Sequence, residues 1–162
     1  MKITLKWILL VFFVFLTEEL VAIDGISLNL SFLLIYLFVI NHFFYKSERK
    51  KIAPSEFLPV IFFATIGLLE DLFQGIIGPA IISKTLTGVI LMILVKQLFF
   101  HWTEFFKALV ICFFTILDEA IYSFIVIYFF NYYVDPFFLV KSFIIKGLVN
   151  IPLGLISSWR KP

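Results

Sequence analysis

The 162-residue chain is 62% hydrophobic and 15% charged, with a mean hydropathy of +1.10 and a formal net charge of +2. Soluble domains run near about 45–50% apolar and about 25% charged, and a fold of ~150 residues still exposes roughly 30% of its unfolded surface, so this composition excludes a soluble enzyme, a nucleic-acid-binding domain and a disordered scaffold. A single cysteine, Cys112, excludes an internal disulfide and any cysteine-based metal site, and His42 and His101 carry no flanking ligand pattern.

In chain order, apolar runs cover residues 7–22, 28–45, 57–73, 80–98, 108–130 and 137–156. About 20 residues cross ~30 Å of hydrocarbon as a helix, and backbone in lipid must hydrogen-bond to itself, so each run is expected to be a helix. No alternating pattern points to strands. The expected architecture is an all-α polytopic membrane protein, a six-helix transmembrane bundle forming one domain over residues 1–162.

The first run follows Lys2 and Lys6 in the manner of a signal peptide. Thr17-Glu18-Glu19-Leu20 offers no small-x-small cleavage site, so a retained helix is expected. Pro54, Pro59, Pro79 and Pro136 sit at or near the starts of runs, where a missing N–H costs least. Pro152 lies inside the last run and predicts a kink. Lys2, Lys6, Lys46, Arg49, Lys50, Lys51, Lys96, Lys107, Arg160 and Lys161 fall on alternate connections and the two tails, whereas the opposite breaks carry Asp24 and Asp135. The positive-inside rule then places both termini in the cytoplasm and gives six crossings. Trp7, Trp102 and Trp159 fall at the expected inner interface, and Tyr132 and Tyr133 at the outer one.

Charges inside the runs are the informative feature. Glu18-Glu19, Glu70-Asp71 and Asp118-Glu119 form three acidic doublets, one on each odd-numbered run, at spacings that point to three hairpins of similar period. Lys84, Lys141 and Lys146 share the runs. A charge at mid-bilayer costs roughly 2.5–3.5 kcal/mol on insertion scales, so each is expected to face protein or water. Depth along the helices pairs Lys146 with Asp118 or Glu119, and Lys84 with Asp71 or Glu70. Carboxylates outnumber lysines, which leaves Glu18 and Glu19 as candidate partner-facing acids.

The segment from Gly67 to Pro79 is the most specific stretch. Gly67, Asp71, Gly75 and Gly78 fall at i, i+4, i+8 and i+11, one face of a continuous helix, and small residues let helices approach closely in lipid. The expectation is a helix-packing or partner groove along these four residues. Gly147, Asn150 and Gly154 make a similar stripe on the last run.

The pattern G-L-L-x-D-L-x-x-G-x-x-G, carried by Gly67, Leu68, Asp71, Leu72, Gly75 and Gly78 in the third apolar segment, resembles the MreD family of rod-shape-determining membrane proteins. The resemblance implies a non-enzymatic role in a bacterial inner membrane. It implies MreC as a partner, with the actin-like MreB, the glycosyltransferase RodA and a class B penicillin-binding protein in the same elongation machinery, and it implies no cofactor. It also implies a bundle similar to the substrate-binding components of energy-coupling-factor vitamin transporters, which makes such a transporter component the alternative function. Trp7–Ala22 holds a single alanine, Ala22, where such components carry alanine-rich docking motifs. An intramembrane enzyme would need partners that Glu18-Glu19 lacks: no nucleophile–base pair or metal set can be assembled from the sequence.

Overall fold

The computed structural model describes residues 2–23, 25–46, 57–98 and 103–158. Six helices follow one another: α1 (Lys2–Leu20), α2 (Leu30–Lys46), α3 (Phe57–Gln74), α4 (Pro79–Leu98), α5 (Glu104–Phe130) and α6 (Pro136–Ser158). The apolar runs dictate them, because residues such as Leu, Phe and Ile recur with no break that a strand register could use. Local signals set both ends of α5, whose start precedes its apolar run. The α5 helix begins at Glu104 because Thr103 caps it, its hydroxyl accepting from the Phe106 N–H at 3.3 Å. It ends where Asn131 turns left-handed at φ 54°.

One element has no counterpart in the all-helical expectation. Between α1 and α2 a two-by-two antiparallel hairpin pairs β1 (Ala22–Ile23) with β2 (Ile26–Ser27). Gly25 sits at its turn with φ 77°. Its sequence signal is Asp24-Gly25 between apolar residues, the dipeptide favoured in two-residue hairpin turns.

The α2 helix is the centre of the bundle. Leu30 through Tyr36 are all buried, and α2 packs against each of the other five helices, while α3 pairs most closely with α4 and α5 with α6. The connections α1–α2, α3–α4 and α5–α6 lie at one end, called here the hairpin end. The opposite half is apolar: Val39, Phe63, Leu91, Val95, Val110, Ile111 and Phe114 are buried there, and Phe38 stacks on Phe62 at 4.1 Å between ring centroids.

Among the described residues, α3, α4, α5 and α6 are long and apolar enough to cross a membrane, and their outward faces are apolar. The apolar stretches of α1 and α2, Leu9–Glu18 and Leu30–His42, are shorter. The fold is therefore all-α in its layers and membrane-like in character.

Candidate functional site

All six helices contribute to one polar network in the hairpin-end half of the bundle. Its centre is Asn29, the residue before α2. The Asn29 Oδ1 atom caps the helix by accepting from the Phe32 N–H at 3.2 Å. It also accepts from Lys84 Nζ at 2.9 Å. The Asn29 amide donates to Asp118 Oδ2 at 2.9 Å and Glu119 Oε2 at 3.3 Å, and its backbone carbonyl accepts from Asn150 Nδ2 at 2.7 Å. One asparagine side chain and its carbonyl thereby join α2 to α4, α5 and α6.

Lys84 is buried against two carboxylates. Its ammonium forms an ion pair with Asp118 and lies 3.2 Å from Glu70 Oε2. The other oxygen of Asp118 accepts from Ser83 Oγ at 3.0 Å, with Thr87 Oγ1 at 3.2 Å. Lys146 is paired with Glu119 at 2.5 Å. Ser31 closes the network toward α1: its hydroxyl lies 2.7 Å from Glu70 Oε2 and 3.3 Å from Glu18 Oε1, and its backbone N–H donates to Glu18 Oε2 at 3.3 Å. A hydroxyl carries one proton, so the short contact to Glu70 takes it, and Glu18 is held chiefly by the backbone N–H.

Of the pairs expected from depth, Lys146 meets Glu119 and Lys84 meets Glu70, while Asp118 serves Lys84 rather than Lys146. Other expectations change. Asp71 meets no lysine. It is fully buried and gathers three backbone N–H groups: Gly78 at 2.8 Å and Ile81 at 3.1 Å on Oδ2, and Ala80 at 2.8 Å on Oδ1. These are donors at the start of α4, which a helix leaves unsatisfied and which favour an anion. Asp71 therefore closes the α3–α4 turn.

The four-residue groove is likewise corrected. The α3 helix stops at Gln74, and Gly75 (φ 73°) and Gly78 (φ 126°) occupy the turn, so they share no helix face with Gly67. Glycines that end a helix here mimic the spacing of a stripe. Gly67 does mark a close approach, but to the chain's own α4: a Cβ there would stand 2.5 Å from the Ala80 carbonyl oxygen and 2.6 Å from Ile81 Cα. That face is filled from within, and no partner can enter it. Glu18 also turns inward, toward Ser31, and the Glu19 side chain lies outside the described residues, as do Asp24, Trp102 and Trp159.

The sequence alone does not single out Asn29, Ser31, Ser83, Thr87 or Thr115. Asn29 has a usable signal, since an Asn directly before a long apolar run is an N-cap pattern. The hydroxyl residues have none, because isolated Ser and Thr are common in apolar helices. On α6, Gly147 packs on Cys112 and Ile116 of α5, while Asn150 donates to Thr115 Oγ1 at 3.2 Å as well as to Asn29. Among the described residues no three His, Cys, Asp or Glu side chains converge as metal ligands would.

Fold and network together define a membrane-type helical bundle whose charges bind its own helices. No family model, curated protein or solved structure matches the chain.

Proposed function

We propose that this protein is a six-pass, non-enzymatic scaffold of the bacterial cell-elongation machinery, which sits in the inner membrane with both termini cytoplasmic and binds MreC. On this reading MreB, RodA and a class B penicillin-binding protein are indirect partners, and the bundle resembles the substrate-binding components of energy-coupling-factor transporters. The reading rests on the resemblance carried by Gly67, Leu68, Asp71, Leu72, Gly75 and Gly78. The observation that supports it best is that Gly67, Asp71 and Gly78 work as one structural unit: the glycine admits α4, and the carboxylate binds the backbone of the turn that Gly78 shapes. The intramembrane charges are likewise spent on helix-to-helix bonds, as a structural part requires. The basic residues on alternate connections support the orientation.

Co-purification tests the proposal. Full-length MreC co-expressed with this chain should elute with it from mild detergent at a fixed stoichiometry. Elution of MreC alone would overturn the scaffold, and a small organic ligand retained through purification would favour the transporter component instead.

A further inference from the structure

Counting donors separates one carboxylate from the rest. Asp71, Asp118, Glu119 and Glu70 are each satisfied as anions. Asp71 gathers the backbone N–H groups of Gly78, Ala80 and Ile81. Asp118 takes Lys84 and the Asn29 amide on one oxygen and the Ser83 and Thr87 hydroxyls on the other. Glu119 holds Lys146, and Glu70 holds Lys84 together with the Ser31 hydroxyl. Glu18 is the exception. An ammonium has three N–H groups, and those of Lys84 go to Asn29, Asp118 and Glu70. The single Ser31 proton goes to Glu70 across 2.7 Å. Glu18 Oε1 is left 3.3 Å from an oxygen whose proton points elsewhere, and Oε2 has one backbone N–H, also at 3.3 Å.

If Glu18 is an anion, lone pairs meet between its Oε1 and Ser31 Oγ. If it is an acid, its O–H donates to Ser31 Oγ, Ser31 donates on to Glu70, and Lys84 completes Glu70, so every polar atom in the row is matched. The charged groups that act on Glu18 are Glu70 of α3, Lys84 of α4 and Lys146 of α6, with Asp118 and Glu119 of α5 already bound to those lysines. Both cations are therefore engaged elsewhere, while Glu70 shares a hydroxyl with Glu18 and repels a second anion there. The proton belongs on Glu18 rather than Glu70, because Glu70 lies against the Lys84 ammonium.

This contact ends the inward face of α1. Val11, Val14, Phe15 and Glu18 fall at i, i+3, i+4 and i+7, and Phe15 stacks on Phe73 of α3 at 5.5 Å between ring centroids. Leu9, Phe12, Phe13 and Leu16 on the other side are exposed. Glu18 is thus the polar fastening of α1 to the rest of the bundle.

We propose that Glu18 holds a proton and that this proton latches α1 to the bundle through Ser31. The latch is closed while Glu18 is the acid. It opens as Glu18 ionises, because two carboxylates then face one hydroxyl.

Infrared spectra and a distance test it on the protein in nanodiscs. At neutral pH the wild type should show a carboxylic-acid C=O band that shifts in heavy water, is lost as pH rises and is missing from Glu18→Gln. A glutamate at its ordinary value of about 4.3 would give no such band at neutral pH. Nitroxides at the exposed positions Leu16→Cys on α1 and Leu148→Cys on α6, in a Cys112→Ala background, read the latch. Their separation should lengthen over the pH range in which the band disappears, and should stay fixed in Glu18→Gln, whose amide donates to Ser31 as the acid does. No acid band at neutral pH, or a band kept in Glu18→Gln, overturns the proton on Glu18. A band that titrates while the separation stays fixed, or that titrates with a different midpoint, overturns the latch. The band and the midpoints are read with Glu18 intact, so the test stands even if Glu18→Gln fails to fold.

Discussion

The α3–α4 and α5–α6 hairpins are built from similar apolar helices, yet they are fastened by different chemistry. In α3–α4 the backbone does the work: Gly67 admits the α4 main chain, and Asp71 receives N–H groups from three residues of the next helix and its turn. In α5–α6 the fastening is between side chains, through Lys146 on Glu119 and Asn150 on Thr115, and Gly147 meets only the flexible ends of Cys112 and Ile116. The first kind fixes a backbone geometry and leaves little room for a substitute. The second depends on charge balance and can be traded for packing.

Substitutions separate the two. The largest effect should come from the lysine that links the hairpins. Lys84→Met leaves Asp118 and Glu70 buried without their cation, and should lower stability by about 3–5 kcal/mol in titrations that unfold the protein from mixed micelles. Asp71→Ala should follow at about 2–4 kcal/mol, since it leaves three N–H groups without an acceptor. Asp71→Asn should recover part of that loss, because one oxygen still accepts. Gly67→Ala should cost about 1–3 kcal/mol by forcing α3 from α4, and Gly147→Ala under about 1 kcal/mol, because its neighbours can move. Equal costs at the two glycines would erase the distinction between the hairpins. The smallest net change should belong to the double variant Lys146→Met with Glu119→Leu. The single Lys146→Met should destabilise by leaving Glu119 unpaired, and the double should return to within about 1 kcal/mol of wild type.

The helices are legible in the sequence because a long apolar run without alternation can satisfy its backbone in lipid only as a helix. The inward turn of the charges follows from the cost of leaving them among acyl chains. The pairing within the network is legible in part: depth gives Lys146 on Glu119 and Lys84 on Glu70, and misses Asp118 on Lys84. Depth counted along each run misplaces a side chain by a turn when a helix starts early, as α5 does at Glu104. A long lysine erases differences of that size by stretching, which is how Lys84 reaches both Glu70 and Asp118. The charge of Asp71 suggests a lysine, and nothing local shows that three backbone donors arrive from seven to ten residues further on. Gly75 and Gly78 fit a helical stripe and a helix end equally well until the end of α3 is known. Asn29 is central for a reason outside its own segment: other helices bring polar groups to its level.

The partners in the network are born at different times. Lys84 leaves the ribosome 34 residues ahead of Asp118, and Lys146 follows Glu119 by 27. When α5 is handed to the membrane, one of its carboxylates has a waiting ammonium and the other has none until α6 emerges. A solitary charge at that depth is a burden of roughly 2.5–3.5 kcal/mol. Until translation reaches residue 146 the chain holds no ammonium for Glu119, so the ion pair of the last two helices can close only once both are made.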